Sequence, residues 1–251
     1  MSGHRLLATD LDGTFIGDDE SMWRLWEQLE QQHIVVAFST GRHLASIEAF
    51  YAEHETGRRA DACLCMVGTE VYLGEGDGYR LDEGWWQQIQ TGWDKATINW
   101  IMAEIPEAHL QPTEWQSAFK SSYFLEDNVE TRLDEIHLRL DAEGLEAKVV
   151  YSAGRFLDFL PIRSGKGGAV RYLAEALGMP ASAVVTSGDT GNDLDMMRPE
   201  LGFRGIAVGN SAPELAEYRE SNVYHAEQAY AAGIREGLVH YGWLEPADRN
   251  P

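Results

Sequence analysis

Short apolar runs alternate with amphipathic stretches at both ends of the chain. In the first part, this pattern predicts strands at residues 6–10, 34–39 and 62–67 and helices at 21–31 and 44–51. In the last part, it predicts strands at 183–187 and 205–208 and helices at 166–177, 192–198, 213–220 and 227–240. Strands that alternate with helices in this way are typical of an α/β fold with a doubly wound parallel sheet.

The middle of the chain has a different order of elements. Residues 85–104 are predicted as one helix, because three tryptophans recur every seven residues and would form a stripe packed on a sheet: Trp86, Trp93 and Trp100. A helix at 129–142 and strands at 117–125, 145–151 and 155–160 follow. We therefore expect a small α+β domain at residues 84–160, inserted between two parts of the core domain at 1–83 and 161–251. The turn at 74–78 is expected to close a hairpin.

Composition excludes several classes of function. The chain has 251 residues and a net charge of -21, so nucleic acid and anionic membrane surfaces are poor partners. The two cysteines, Cys63 and Cys65, lie in an apolar run and are expected to be buried, reduced thiols rather than zinc ligands. The polar start and the lack of a long apolar run indicate neither a signal peptide nor a membrane span, and the expected location is cytoplasmic.

Candidate chemistry begins where the first predicted strand ends. Asp10 and Asp12 are one residue apart and are followed by Gly13 and Thr14. Alternate residues of an extended segment point to the same side, so the two carboxylates would lie close together and repel. A cation, or a proton on one of them, is needed to keep them there. The pair therefore suggests magnesium and an aspartate nucleophile.

Three more polar segments follow predicted strands or open helices. Residues 39–42 end the second strand with hydroxyl and backbone N–H groups that can hold a phosphate oxygen, Lys166 opens a helix, and residues 188–193 supply two carboxylates and an amide. Each segment alone is often only a turn or a solvated charge. Together, at strand ends that meet at one edge of a sheet, they indicate a site. A P-loop is excluded, because positions 160 and 167 are Leu and Gly.

The four segments, taken in order, resemble the motifs of the haloacid dehalogenase superfamily of phosphatases. These are Asp-x-Asp-Gly-Thr at 10–14, Thr-Gly-Arg at 40–42, the helix-opening Lys166, and Gly-Asp-x-x-Asn-Asp at 188–193. The insertion resembles the large cap of Cof-like sugar phosphatases. Residues 38–42, 67–72, 120–123 and 158–161 are most similar to the sucrose-phosphate phosphatase family.

The resemblance implies a role for each motif residue. Asp10 would be the nucleophile that forms an aspartyl-phosphate, and Asp12 the general acid and then the base. The expected phosphate-binding residues are Thr40, Gly41, Lys166 and Asn192. The expected Mg²⁺ ligands are Asp10, Asp12 through its backbone carbonyl, Asp189 and Asp193. The expected substrate-binding residues are Arg42, Glu70, Lys120 and Trp115, although Arg42 also fits an exposed helix-start charge and Glu70 a cap on the hairpin.

The expected function is a Mg²⁺-dependent sugar phosphatase, with sucrose-6-phosphate as the foremost substrate. Mannosylfructose phosphate or a hexose phosphate are alternatives within the same chemistry, and a phosphomutase would return the phosphoryl group to a sugar. A non-catalytic module that binds the glycosyltransferase making the substrate is an alternative of another class, against which the intact set of acidic residues and Lys166 argues. Association of an active phosphatase with that glycosyltransferase is also an expectation.

Overall fold

A computed structural model describes residues 5–54 and 57–246. Its strands are β1 Arg5–Thr9, β2 Ile34–Ser39, β3 Ala62–Cys65, β4 Glu70–Glu75, β5 Gly78–Leu81, β6 Ala108–Leu110, β7 Ser121–Leu125, β8 Ala147–Ser152, β9 Phe156–Pro161, β10 Val184–Gly188, β11 Arg204–Ala207 and β12 Val223–His225. Its helices are α1 Asp19–Gln31, α2 Leu44–Glu53, α3 Glu83–Ile89, α4 Lys95–Ala103, α5 Val129–Ala142, α6 Lys166–Ala176, α7 Leu194–Met197, α8 Pro213–Ala216 and α9 Tyr230–His240.

Eight strands form one sheet in the order β12-β11-β10-β1-β2-β3-β4-β5. The first six of these run parallel, and the β4–β5 hairpin adds two antiparallel strands at one edge. Leu7 of β1 pairs with Val36 on one side and Val185 on the other. The carboxyl end of β1 therefore lies between the ends of β2 and β10, where the strand order reverses and open α/β sheets bind their ligands.

Helices cover both faces of this sheet, as a doubly wound fold requires. One apolar cluster packs α1, α2 and α9 on one face, and a second packs α3, α6 and α7 on the other. Neighbouring residues of β1 illustrate the alternation: Leu7 belongs to the first cluster and Leu6 to the second. Both thiols of β3, Cys63 and Cys65, are free and fully buried in the first cluster, as the sequence predicts.

A second sheet of four antiparallel strands has the order β6-β7-β9-β8. The helices α4 and α5 pack against it around Ile98, Ile136 and Phe159. This is the α+β unit that the middle of the sequence predicts, and we refer to the sheet with α4 and α5 as the cap. The domain boundaries at residues 84 and 160 stay predictions.

The single helix predicted at 85–104 is wrong. Two helices, α3 and α4, occupy this region, because Gly92 takes a left-handed conformation (φ 80°) and Asp94 caps a new helix by accepting from the N–H groups of Ala96 and Thr97. The tryptophan stripe is lost with the helix. Trp86 packs against the core cluster, Trp93 against the cap cluster, and Trp100 is 59% exposed.

Smaller differences concern short elements. The strand predicted from 117 begins at Ser121, after a tight turn in which Ser117 and Lys120 form an isolated bridge. The helix predicted at 213–220 ends at Ala216, and the one at 192–198 is a 3₁₀ turn followed by the four residues of α7. Within the described residues, no helix combines the length and the apolar character that crossing a bilayer requires.

Candidate active site

Asp10 follows directly after β1, and its N–H donates to the carbonyl of Ser187 at 2.9 Å. This bond extends the pairing of β1 with β10 by one residue and holds the side chain at the strand ends. Asp189 and Asp193 follow β10, and one carboxylate oxygen of each lies within 4.8 Å of the others and of Asp10. The structure thus brings together three of the four predicted metal ligands by their side chains.

Lys166 joins two of these carboxylates. Its Nζ donates to Asp10 Oδ1 and to Asp193 Oδ1, both at 2.6 Å, and the side chain is almost fully buried. Lys166 is the first residue of α6, directly after the loop that connects β9 of the cap to the core. Asp193 is fixed in turn, because its Oδ2 accepts from the N–H groups of Asp189 and Thr190 in a capping box.

The buried charges shift one another's pKa values. Burial raises the pKa of Asp10 to about 8, and the negative charges of Asp193 and Asp189 add to this rise while Lys166 opposes it. Burial and Asp193 also raise the pKa of Asp189 to about 6. Burial alone would lower the pKa of Lys166, but the two carboxylates raise it overall. One lysine does not balance the three carboxylates, and a further cation would reduce their mutual repulsion.

The donor set fits a magnesium ion. Three carboxylates converge, and hard oxygen ligands of this kind are those that Mg²⁺ prefers. Thr14 Oγ1 donates to Asp189 Oδ1 at 3.1 Å and orients that side chain. Gly13 leaves the space open, since a Cβ there would lie 2.4 Å from Asp189 Oδ2. The Oδ1 atom of Asn192 is buried without a hydrogen-bond partner in the described structure, so it too is available to a ligand.

The predicted phosphate-binding segment follows β2. Thr40 is buried, and its Oγ1 accepts from the N–H of Arg42 at 3.2 Å. Open space faces Gly41, where a Cβ would meet no atom within 4 Å. Val67, in the 3₁₀ turn that follows β3, supports the segment: its N–H donates to the carbonyl of Thr40 at 2.9 Å. It does so from a left-handed conformation (φ 59°) that is rare for a β-branched residue.

Asp12 and Arg42 form an ion pair at the mouth of the site. Arg42 Nε donates to Asp12 Oδ2 at 2.8 Å, and its Nη2 donates to Oδ1 at 2.5 Å. The Asp12 side chain is 55% exposed. Because this carboxylate faces Arg42 and the cavity, it is placed to meet a bound molecule rather than to join the buried cluster.

A cavity of about 600 Å³ joins these residues to the cap. From the core it is lined by Asp10, Asp12, Thr40, Gly41, Arg42, Asp189 and Asn192, and from the cap by Gln111, Trp115, Lys120, Phe124, Phe156 and Asp158. Lys166 and Asp193 are not among the lining residues, but Lys166 contacts Asp10, which lines the cavity, and Asp193 contacts Lys166. The volume is within the range of about 300–1,000 Å³ that is usual for small-molecule sites.

The cap side of the cavity carries a buried ion pair. Lys120 Nζ lies 3.2 Å from Asp158 Oδ1, and the same oxygen accepts from Ser122 Oγ at 2.6 Å. Trp115 lies beside them, with its ring at 5.9 Å from that of His43. Charged and aromatic groups placed together in this way suit a polyhydroxylated ligand, because the charges bind hydroxyls and the ring covers an apolar face.

Glu70 lies outside the set of described residues that line the cavity. Tyr72 donates to its carboxylate at 2.9 Å, and burial raises its pKa. Conversely, Asp158 is a cavity residue that the site prediction omitted. A carboxylate inside the apolar run of β9 was the available signal, and its pairing with Ser122 across β7 and β9 places it at the cavity.

Comparisons with known proteins agree with this arrangement. The model of the sucrose-6F-phosphate phosphohydrolase family matches residues 3–242. The chain is 34% identical to mannosylfructose-phosphate phosphatase of Agrobacterium fabrum, over 96% of this chain and 98% of that protein. It is 30% identical to sucrose-phosphatase 1 of tobacco, over 94% of this chain but only 59% of that protein.

A solved structure is similar over nearly the whole chain. The sucrose-phosphatase of Synechocystis, in complex with sucrose and phosphate, superposes with a TM-score of 0.88 at 30% identity and covers 97% of this chain and 100% of its own. The fold, the motifs and these matches agree. The chain is a phosphoric monoester hydrolase that belongs to the sucrose-6F-phosphate phosphohydrolase family of the haloacid dehalogenase superfamily.

Proposed function

We propose that the protein hydrolyses sucrose-6F-phosphate to sucrose and phosphate through an aspartyl-phosphate intermediate. The observation that carries this proposal is the cavity itself, in which the acidic cluster and the Lys120–Asp158 pair face a common space. The phosphate end of a sugar phosphate would meet the core, and the sugar would meet the cap.

Asp10 is the proposed nucleophile. Its carboxylate oxygen attacks phosphorus, the bond from phosphorus to the sugar oxygen breaks, and the phosphoryl group remains on Asp10. Water then attacks that phosphorus and frees the Asp10 carboxylate. Lys166 stabilises the ionised form of Asp10, which the reaction needs, and Thr40 and Gly41 would orient the transferred group. The site thereby provides positioning and positive charge, which phosphoryl transfer chiefly requires.

Magnesium is the proposed cofactor. Asp10, Asp189 and Asp193 would hold it with the backbone carbonyl of Asp12. When bound, it would neutralise negative charge between the carboxylates and the phosphate.

Asp12 is the proposed general acid and base. It would give a proton to the leaving sugar oxygen and later take one from the attacking water. An anionic substrate in the cavity would compete with Asp12 for Arg42. Release from Arg42 would leave the Asp12 carboxyl group free to face the leaving sugar oxygen.

Lys120 is the proposed reader of the sugar, together with Asp158. A buried cation and a buried carboxylate can donate to and accept from neighbouring hydroxyls at once. Trp115 would supply an apolar face. Arg42 would contact the phosphate. The substrate-binding role of Glu70 stays a prediction, because Glu70 is not among the described residues that line the cavity.

Mannosylfructose phosphate is the second candidate substrate, because the chain is 34% identical to a phosphatase of that name over almost the full length of both proteins. A hexose phosphate leaves more of the cap unused. Hydrolysis rates on sucrose-6F-phosphate, mannosylfructose phosphate, fructose-6-phosphate and an aryl phosphate would test the proposal. We expect the highest kcat/KM on a disaccharide phosphate, with free phosphate as the product; equal rates on all four, or transfer of the phosphoryl group to a sugar, would contradict it.

Association with a glycosyltransferase is a further part of the proposal. The chain is 34% identical to a segment of the glucosylglycerol-phosphate synthase of Pseudomonas anguilliseptica, and it covers 31% of that protein. In that synthase, a segment related to this chain is therefore part of a polypeptide about three times as long. Co-purification of this chain with the transferase that makes its substrate would test the association, and separate elution at micromolar concentration would contradict it.

A further inference from the structure

One lysine of the cap reaches into the core beside Lys166. Lys148 lies on β8, one of the two edge strands of the cap sheet. Its Nζ donates to the backbone carbonyl of Ser164 at 2.6 Å and contacts Asp195 Oδ1 at 3.0 Å and Oδ2 at 3.2 Å. Asp195 belongs to α7 of the core, so this ion pair connects the two parts of the molecule.

The same contacts enclose the loop that presents Lys166. Ser164 lies two residues before Lys166, and its carbonyl accepts from Lys148. Gly167 lies one residue after Lys166, and its N–H donates to Asp195 Oδ2 at 2.9 Å. This N–H belongs to the first turn of α6, where backbone donors lack a partner within the helix. The Lys148–Asp195 pair therefore holds the backbone on both sides of Lys166.

Close packing makes this link specific to one conformation of the loop. Gly165 has φ +101°, and a Cβ there would lie 2.6 Å from Lys148 Nζ and 2.5 Å from Asp195 Oδ2. Only glycine leaves room for the ammonium group and the carboxylate against the loop. A displacement of β8 relative to the core would withdraw Lys148 from both partners at once.

We propose that Lys148 and Asp195 are positioning residues for the phosphate-holding Lys166, and that they make the geometry of Lys166 depend on where the cap lies. This inference rests on the proposed function, because it takes Lys166 as a residue that holds the transferred group. Lys166 must contact Asp10 and the phosphoryl oxygens within a few tenths of an ångström to be effective. A cap residue that fixes its backbone therefore contributes to the chemical step without touching the substrate.

The test compares Lys148→Met and Asp195→Asn on a disaccharide phosphate and on a small aryl phosphate that does not engage the cap. Methionine keeps most of the length of the lysine side chain without the charge, and asparagine keeps an acceptor for the N–H of Gly167. We expect kcat to fall by about 10- to 100-fold on both substrates for Lys148→Met, since misplacement of a positioned group has effects of this size. The double variant should lose little more, because both residues act through one link. Lys148→Arg should recover part of the loss.

Arg198→Met is the matched control. Arg198 Nη2 also pairs with Asp195, at 3.2 Å, but from an exposed position of the core. We expect its kcat to stay near that of the unchanged protein. A thermal unfolding curve for each variant separates loss of folding from loss of positioning.

Other results would overturn the inference. If kcat of Lys148→Met fell only on the disaccharide phosphate, Lys148 would act by holding the cap in place and not by positioning Lys166. If kcat of Arg198→Met fell by a similar factor, the effect would come from the general loss of positive charge. Lys166→Met serves as the reference. If Lys166→Met is inactive while Lys148→Met turns over normally, the link fails and the proposed function stands. If Lys166→Met keeps its turnover, the proposed role of Lys166 fails, and the inference fails with it.

Discussion

Asp10 is subject to opposite demands from folding and from chemistry. The folded protein favours the neutral carboxyl, because burial raises the pKa of Asp10 to about 8. Attack on phosphorus requires the carboxylate. Lys166 already opposes this rise, so the cost of ionising Asp10 that remains is what a bound cation would have to offset.

Asp10→Asn should abolish turnover and stabilise the metal-free protein. An amide cannot attack phosphorus, and it resembles the neutral carboxyl that the fold favours. Since the pKa of Asp10 rises from 3.8 unfolded to about 8 folded, its ionisation destabilises the fold progressively as pH rises between these values. We expect the gain in unfolding free energy over the unchanged protein to exceed about 1 kcal/mol at pH 8 and to shrink towards pH 5. Denaturant unfolding in chelator at both pH values measures it; a gain that shrinks as pH rises would contradict it.

Lys120→Met should lower activity on a substrate with a sugar and leave activity on a simple phosphate ester nearly unchanged. We expect kcat/KM on the disaccharide phosphate to fall roughly a hundredfold, by about 2–3 kcal/mol for a lost charge-assisted hydrogen bond. A small aryl phosphate should be hydrolysed nearly as before. The variant leaves Asp158 buried with Ser122 as its remaining partner, so Lys120→Met/Asp158→Asn is the control that removes the unpaired charge. Equal losses on both substrates would assign Lys120 to cap folding.

Residues near one another in sequence were predictable, and residues that meet only through the fold were not. Asp10, Lys166 and Asp189 stand in short motifs at strand ends. Asp158 owes its place to the register of β9 against β7, which no local pattern specifies. The Lys148 link likewise depends on how the edge of one sheet lies against a helix of another.

At the scale of elements, the parallel core was predictable because its strands are buried runs separated by amphipathic helices. The region from Glu83 to Ala103 was not, because a seven-residue tryptophan pattern mimics one continuous helix. Local chemistry decided otherwise: Gly92 turns the chain through a left-handed conformation, and Asp94 caps α4. The short strands β6 and β12, of three residues each, carry too little periodicity to be recognised.

The N-cap residue of α4, Asp94, should influence the part of the cavity proposed to bind the sugar. Lys95, the first residue of α4, donates from Nζ to the carbonyls of Ser117 and Lys120 at 2.6 and 2.8 Å, and so braces the turn that bears Lys120. Asp94→Ala should fray this helix end and lower kcat/KM on the disaccharide phosphate by a few-fold, with the aryl phosphate unaffected.

The stability effect of Asp94→Ala should depend on pH. Hydrogen bonds from Thr97 lower the pKa of Asp94 below 3.8, so its contribution is present above that pH and is lost as pH falls through the folded pKa. Thermal melts of the variant and the unchanged protein should thus converge at the acid end. A difference that grows on acidification would contradict the capping role.

At the scale of the whole molecule, folding gathers the acidic cluster from opposite ends of the chain. Asp10 stands near the start, and Asp189 and Asp193 lie some 180 positions later. The net charge of -21 adds to their repulsion. Because the unfolded chain keeps these groups apart, an ion that binds them stabilises the folded state selectively.

Removal of Mg²⁺ should abolish activity and lower the melting temperature. At a Mg²⁺ concentration of one hundred times the Kd, the expected stabilisation is about 2.7 kcal/mol. Asp189→Asn should lose most of this increment. Ca²⁺ should also raise the melting temperature yet inhibit turnover, because its larger and looser oxygen shell would misalign Asp10. Full activity after exhaustive chelation would contradict a metal-dependent reaction.

The two thiols of β3 can serve as natural probes of the opening of the large sheet. Cys63 and Cys65 are fully buried on an interior strand of the large sheet. Burial raises the pKa of Cys63 to about 12 and that of Cys65 well above its usual value. The thiolate is the form that alkylates, so neither sulfur can react until the strand is exposed to water. The rate of cysteine alkylation under native conditions would therefore report the rate at which the sheet opens. If a bound ion or sugar phosphate lowers this rate, the ligand at the strand ends stabilises the interior of the sheet against opening.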